Sequence, residues 1–260
     1  MTNARKIDGH ESKKFFIIVF DKFSRRLLRL CFRHFAANML DNKFSFVNDE
    51  FYAQSISPRQ LDTLLADGWR HFGAHFFRYN LGFYSGEIRR VIPLRIRLSN
   101  FTFSKSQRRI LRKNQDLQIV IRPIEITLEK EILFNRHKRR FKHNFPFSIY
   151  DFLDFDAANT PCKALEICVF DNEKLLAASF FDVGETAISS VYAIFSPEDA
   201  ARSLGIFTML IEIDFALARG KRFYYSGYAY EGNSFYDYKK RFRALEQFDW
   251  HGNWENLQAE

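Results

Sequence analysis

The sequence predicts an α+β protein built on a mixed, mainly antiparallel sheet with flanking helices, plus a smaller N-terminal α/β region. Three observations carry this. Residues 164–170 and 175–183 are apolar, β-branched runs joined by Asp171-Asn172-Glu173-Lys174, which reads as a hairpin, and residues 187–195 continue it as a further strand. After Ser196-Pro197 a loop through Ala200-Ala201-Arg202-Ser203-Leu204-Gly205 leads into a helix that stops near Arg219-Gly220. Residues 222–230 form an aromatic strand directly afterwards, so the stretch closes a strand–helix–strand unit whose helix start offers backbone N–H groups to a carbonyl or phosphate oxygen.

The chain has 260 residues, 47% of them hydrophobic, enough for one large or two small domains with a buried core. No apolar run approaches the roughly 20 residues of a membrane span. No signal-peptide pattern opens the sequence, and a soluble, cytoplasmic protein is expected. Cys31, Cys162 and Cys168 include no C-x-x-C spacing, so neither a disulfide framework nor a thiolate metal site is predicted, and they read as small core residues. The net charge of +8 is concentrated: residues 99–144 hold twelve Lys or Arg against four Asp or Glu, and the rest of the chain balances. A localised basic region points to a polyanionic partner.

Taken in order, residues 1–14 are polar, and the run FFIIVF at 15–20 suits a buried strand or a helix start. Residues 21–40 repeat apolar side chains at helical spacing with Arg25, Arg26, Arg29 and Arg33 between them. This reads as a docked helix with a solvated basic face, a pattern that also suits a membrane-surface helix. Ser57-Pro58 opens a helix with an apolar stripe of Leu61, Leu64 and Leu65, which Asp67-Gly68 ends. Residues 91–98 alternate as a strand, with Pro93 pointing to an edge or a bulge. In residues 103–117, Ser104 and Gln107 form a capping box, and Lys105, Arg108, Arg109, Arg112 and Lys113 make a basic helix suited to phosphate oxygens. Residues 117–126 form a strand, residues 127–142 a helix with a second basic cluster, and residues 151–161 a linker. The helix after Gly205 is apolar on most sides, interrupted only by Thr208, Glu212, Asp214 and Arg219, and therefore buried. Alternation along the aromatic strand sets Tyr224, Ser226 and Tyr228 on one face and Tyr225 and Gly227 on the other, with Gly227 leaving room for close approach. Antiparallel strands, a helix and a further strand follow one another in the order of a GNAT-type acyltransferase sheet.

Several unusual words occur in a fixed order: Gly68-Trp69-Arg70-x-Phe72-Gly73, Ile92-Pro93-Leu94-Arg95-Ile96, Phe103-Ser104-Lys105-Ser106-Gln107-Arg108-Arg109, Ala201-Arg202-Ser203-Leu204-Gly205, Tyr224-Tyr225-x-Gly227-Tyr228 and Asp237-Tyr238-Lys239 with Arg241-Phe242-Arg243 and Glu246. In these the chain resembles the aminoacyl-tRNA-protein transferases, the arginyl-transferases and bacterial leucyl-transferases of the N-degron pathway, from about residue 61 to 254. The resemblance implies an N-terminal region at 1–125 and a C-terminal GNAT-like transferase domain at 126–254. It also implies transfer of an arginyl or leucyl group from charged tRNA to a protein N-terminal α-amine, with no cofactor. On the matching positions, Tyr228 and Lys239 face the reacting groups, Tyr238 shapes the pocket, and Arg202, Ser203, Leu204 and Gly205 cradle the donor. Lys105, Arg108, Arg109, Arg112 and Lys113 contact the tRNA.

The chain also departs from the family. Where relatives carry cysteines for an iron-sulfur cluster or metal, residues 75–90 contain none, so no cysteine-ligated metal is expected there and aromatic packing takes its place. His71 and His75, four apart, read as packing residues. Phe235-Tyr236 and Ala244 replace the usual Lys-Met and Pro, which leaves the transferred amino acid open. The acetyl-CoA fingerprint is incomplete, with Gly205 alone in the loop. Two alternatives accompany the transferase reading: a GNAT-type acyltransferase using acyl-CoA or another small donor, and a degenerate relative that binds RNA or N-termini without turnover.

Overall fold

The computed structural model describes residues 45–141 and 146–257. The expectations for residues 1–14, 15–20 and 21–40, for Cys31 and for Lys142 lie outside the described residues. The chain divides into two units, 1–46 and 47–260, and nearly all described residues belong to the second.

Two sheets organise it. The small one holds β1 (Asn48–Tyr52), β2 (Arg70–Phe72) and β3 (His75–Tyr79) in the order β1-β3-β2, antiparallel throughout. The large one contains β4 (Leu81–Tyr84), β5 (Glu87–Arg97), β6 (Gln118–Pro123), β7 (Ala164–Asp171), β8 (Lys174–Val183), β9 (Ala187–Phe195), β10 (Phe223–Tyr230), β11 (Leu245–Phe248) and β12 (Trp254–Asn256). Its order is β12-β11-β5-β10-β9-β8-β7-β6, with β4 on the outer end of β5. Strands from both sides of residue 125 thus share one sheet.

The predicted hairpin forms with Ala164 opposite Asp182, and β9 pairs antiparallel to β8. The connection from β9 to β10 is a helical crossover, and these two are the parallel neighbours of the sheet. Four antiparallel strands that feed a helix and then a parallel strand make a GNAT-like fold. Pro93 is interior to the sheet rather than at its edge. It lies opposite Tyr228 in the interval between Arg90, where β4 pairing ends, and Leu94, where β11 pairing begins, so its missing N–H falls where one side of β5 has no strand partner.

Among the described residues, four α-helices cover the sheets. In α1 (Pro58–Ala66) the expected N-cap Ser57 also forms a capping box, with Gln60, and in α2 (Lys105–Lys113) the capping box expected from Ser104 and Gln107 is closed. The following helix, α3 (Leu128–His137), is capped by Thr127 and runs into a 3₁₀ turn over Lys138–Arg140. The apolar α4 (Leu204–Ala218) fits its burial: Leu210, Ile213 and Ala216 are fully enclosed against Ile96, Ile167, Phe181, Ile188 and Tyr224 of the sheet. A second cluster sets Leu61 and Leu65 of α1 against Cys162, Ala187 and Tyr225. Tyr224 and Tyr225 therefore point into separate cores, as strand alternation requires. Both described cysteines are buried and free, and burial pushes the Cys168 thiol up to about 12. No helix among the described residues is long and apolar enough to cross a membrane.

Candidate active site

The parallel ladder between β9 and β10 is short. Phe223, Tyr224 and Tyr225 pair with Ala187, Ile188 and Ser189, and there it stops. Beyond that point β10 continues along β5 and β9 along β8, so the two strands part and leave a cleft. Each strand carries an irregularity just past the fork: Val191 is the extra residue of β9 and Ser226 that of β10. A bulge adds one residue and shifts the side-chain phase. For that reason Tyr228 does not share a face with Tyr224 as simple alternation predicts. The Tyr224 hydroxyl reaches Glu212 of α4 at 2.7 Å, whereas that of Tyr228 donates to Gly68 O at 2.6 Å.

Into the fork comes Arg70, from the Gly-Trp-Arg word at the start of β2. Its guanidinium donates to Ser189 Oγ at 3.0 Å and to the carbonyl of Ser190, occupying the β9 edge that β10 has left. Lys239 arrives from the other side, on a 3₁₀ turn over Phe235–Arg241 that Ser234 and Asp237 cap reciprocally. Its Nζ donates to Tyr228 O at 3.1 Å. Between the two cations is Gly227, with φ +95; a Cβ there would stand 3.0 Å from Lys239 Nζ and 3.7 Å from an Arg70 nitrogen. Only glycine both takes this backbone conformation and leaves the cations room. Among the described residues, neither Arg70 nor Lys239 has a carboxylate within ion-pair distance. Burial, reinforced by Arg70, pushes the Lys239 ammonium down to about 7.

Below the fork is Glu212, 1% exposed, in the middle of α4. Burial raises its carboxyl to about 7 against the opposing pull of Tyr224, Ser190 and Arg70. The outer mouth is aromatic. Arg140, after α3, lies over Phe195 at 4.6 Å and over Phe235 at 5.2 Å, and Lys239 Nζ is 5.2 Å from the Tyr236 ring. Phe235 is 56% exposed, so this mouth is open to a planar or apolar group. Tyr238 is half-buried beside Phe235, its phenol pushed up to about 12 by burial.

The structure thus brings Tyr228, Lys239 and Tyr238 to one cleft. Tyr228 lines it as a neutral wall: burial holds its phenol well above the usual range, its ring stands edge-on to Tyr79 at 5.3 Å, and its hydroxyl is committed to Gly68 and Phe77 carbonyls. The loop at 202–205 sits at the head of α4. Arg202 forms a two-pronged ion pair with Asp116 at 2.9 and 3.0 Å, so its charge faces the end of α2. Ser203 takes a left-handed backbone, Leu204 is buried in the core, and Gly205 lets the helix approach Phe195, whose Cε1 would lie 2.8 Å from an added Cβ. What this loop offers a ligand is backbone: the amides that begin α4. Lys105, Arg109 and Arg112 are exposed along α2. Arg108 caps the Phe103 carbonyl, and Lys113 reaches the carbonyl of Ala201. Together with the Arg202–Asp116 pair and Asn114 donating to Arg202 O at 3.0 Å, this ties the basic helix to the loop heading α4.

Arg70 and Glu212 were not among the residues expected to act. The first lay in a quoted word and the second was one of four polar breaks in an apolar helix, so each left a signal, but their meeting required the fold. His71 does not pair with His75. Its Nε2 bonds Asp182 at 2.9 Å and its Nδ1 faces Gly73 O at 2.9 Å, while His75 meets Glu50 at 3.2 Å. Cys162 completes a buried trio with His71 and Asp182 whose ligand atoms lie within 4.8 Å of one another. Both ring nitrogens of His71 are already engaged, and the trio works as a clamp that ties β2, and so Arg70, to β8.

Residues 129–249 match the family described as arginine-tRNA-protein transferase, C terminus. The aspartate/glutamate leucyltransferase of Xanthomonas campestris (strain B100) is 34% identical over 179 residues, spanning 66% of this chain and 71% of that protein. Its counterpart in Leptospira interrogans serovar copenhageni is 28% identical over 194 residues, spanning 73% of this chain and 74% of its own length. The solved structure of L-PGS from Bacillus licheniformis aligns with a TM-score of 0.40 at 17% identity, covering 83% of this chain and 62% of that one. With ordered motifs, a forked acyltransferase-type sheet and relatives of this identity and span, the chain belongs to the aminoacyl-tRNA-protein transferase family and is an aminoacyltransferase.

Proposed function

We propose that the chain carries a leucyl group from charged tRNA to the α-amine of acceptor proteins whose first residue is Asp or Glu, and that the fork between β9 and β10 is where the two substrates meet. The observation that supports it most is the pair of cations without a carboxylate partner, Arg70 and Lys239, held apart over Gly227. Two such charges in a half-buried cleft are costly unless an anionic group completes them. An acidic side chain at the acceptor's N-terminus supplies that group, in keeping with the names of the relatives.

The donor ester is already activated, so the protein's work is to position, to stabilise the tetrahedral oxyanion and to move protons. With the acceptor carboxylate on Arg70 and Lys239, its α-amine lies within the fork. The ester carbonyl approaches from the open mouth, where Phe195, Phe235 and Tyr236 offer an apolar lining for the leucyl side chain and Arg140 an electropositive rim. The amides at the head of α4 face the ribose and phosphate end. The basic side of α2, joined to that loop through Lys113, Asn114 and Arg202, receives the tRNA backbone. In this arrangement residues 126–254 carry most of the cleft, and residues before 126 contribute Arg70 and the RNA-facing helix.

The test is transfer of labelled leucine or arginine from charged tRNA to peptides that differ only in their first residue. Leucine onto Asp and Glu, with Asn, Gln, Lys and Arg peptides poorer, is the expected result, and replacing Arg70 or Lys239 should compress the preference of Asp over Asn. Arginine as the group carried, or an acceptor order indifferent to charge, would overturn the specificity. A folded sample that transfers neither amino acid to any peptide would overturn the reaction.

A further inference from the structure

Arg140 stands across the mouth of the fork with its hydrogen-bonding edge unused. We propose that its guanidinium binds the phosphate group of the donor's terminal nucleotide, the negative charge nearest the aminoacyl ester. The proposal rests on the transferase reading of the fork.

The guanidinium bridges the two walls of the cleft. Its carbon is 4.6 Å from the ring centre of Phe195, at the end of β9, and 5.2 Å from that of Phe235, on the turn after β10. A third ring, Phe141, lies at 5.2 Å. Contacts with rings leave the N–H donors uncommitted. Among the described residues, exposed Arg140 makes no hydrogen bond and no ion pair. Two other cations of the same basic cluster are already engaged, Arg136 with Glu198 at 2.7 Å and Lys138 with the Phe147 carbonyl at 2.8 Å.

The wall on which Arg140 lies is fixed from two sides. The Phe195 N–H donates to Nδ1 of His137 at 3.1 Å, and burial holds that imidazole neutral by lowering it to about 4. On its other side the Phe195 ring fills the space that Gly205 leaves. The spacing along the opposite wall suits a donor end. Lys239 Nζ is 5.2 Å from the Tyr236 ring, and the Tyr236 and Phe235 rings are 5.9 Å apart. Two rings thus stand between the cation that holds the acceptor and Arg140, as an ester and one ribose stand between the acceptor amine and the donor's first phosphate. A guanidinium presents paired N–H groups to two oxygens of one anion, and a phosphodiester keeps two such oxygens. The base, ribose and ester that enter with it are uncharged.

The experiment compares two small donors, the leucyl 3′-esters of adenosine and of adenosine 5′-phosphate, which differ in the phosphate alone, in transfer to an acidic-start peptide. For the wild type, kcat/KM should favour the phosphorylated donor by about tenfold or more, chiefly through KM. Arg140→Gln should bring this ratio close to one and Arg140→Lys should leave part of it, whereas Arg139→Gln, which removes the neighbouring charge, should keep it. An R140Q that slows both donors alike and retains the ratio would show that Arg140 only braces the two rings, and would overturn the proposal. So would a wild-type ratio near one, which decides the matter even if R140Q does not fold. If the small donors are not accepted, equilibrium binding of adenosine 5′-phosphate against adenosine reads the same ratio on the same variants. A wild type that transfers nothing from charged tRNA would instead sink the transferase reading, and the binding ratio would still decide the phosphate site.

Discussion

Replacing Gly227 with alanine separates the cost of a strained backbone from the loss of the cleft. At φ +95 an L-residue is disfavoured by about 1–2 kcal/mol. The new Cβ would also stand 3.0 Å from Lys239 Nζ, and the amine, as the free end of a flexible chain, is what gives way. Its 3.1 Å bond to Tyr228 O goes with it, worth about 1 kcal/mol net. The sum is about 2–3 kcal/mol, or a drop in Tm of roughly 4–12 °C for a chain of this size. Displacing one of the two cations that hold the acceptor should lower transfer at least about tenfold, since 1.4 kcal/mol of lost stabilisation suffices for that. Gly220→Ala is the control, because its φ is +62 and nothing lies within 4 Å of the added atom. It should lower Tm by a smaller amount and leave transfer untouched. Thermal unfolding and initial rates on both variants give the answer. If Gly227→Ala loses stability as calculated yet transfers like the wild type, the space between Arg70 and Lys239 is not where the acceptor binds.

Stability should pass through a shallow minimum near pH 7. Glu212, raised from 4.5, makes the folded state bind more protons than the unfolded one between about 4.5 and 7, so stability falls there as pH rises; Lys239, lowered from 10.5, has the opposite imbalance between about 7 and 10.5, so stability climbs there. Denaturant unfolding across pH measures this, and E212Q should flatten the acid side alone. Arg70→Lys keeps the charge but not the fork that spans Ser189 and Ser190, and should cost about 10²-fold in transfer with little change in Tm. Reversing Arg108 and Arg109 to Glu should weaken tRNA binding and lower its salt slope by about 2, whereas an unaltered slope would take α2 out of the RNA interface. Glu246→Ala leaves Arg95 buried without its 2.6 Å partner, and Arg97 loses its own at 2.6 Å, so about 3–5 kcal/mol of stability should be lost in chemical denaturation.

Much of the frame was readable from local pattern. The Ser57 N-cap, the Ser104–Gln107 capping box, the hairpin over 164–183 and the apolar crossover helix each follow from rules that act within a few residues, and each formed within a residue or two of where it was expected. The cleft was less legible because its making is non-local. Arg70 meets Ser189 across 119 positions, and no periodicity encodes that meeting. The bulges at Val191 and Ser226 leave no residue signature either, although one of them decides that the Tyr228 hydroxyl turns to Gly68 while that of Tyr224 stays with Glu212. Glu212 shows the same limit from another side. An acid in an apolar helix is visible in the sequence, but the raised proton affinity of Glu212 comes from its burial, which only the assembled fold supplies.

The position of Arg70 depends on the small aromatic sheet that carries it. Arg70 opens β2, a strand of three residues, too short to hold its own place by ladder bonds alone. Its neighbourhood is fixed by rings and by one buried clamp. Phe51 stacks on Phe76 at 4.8 Å and meets Trp69 edge-on at 4.9 Å, and Arg78 covers the Trp69 ring at 4.9 Å. On the far side His71 binds Asp182 of β8 at 2.9 Å, and the Tyr228 hydroxyl holds Gly68 O from β10. Residues 68 and 71 are thus each anchored to a different strand of the large sheet, and Arg70 lies between the anchors. A guanidinium delivered this way has little freedom to leave the fork.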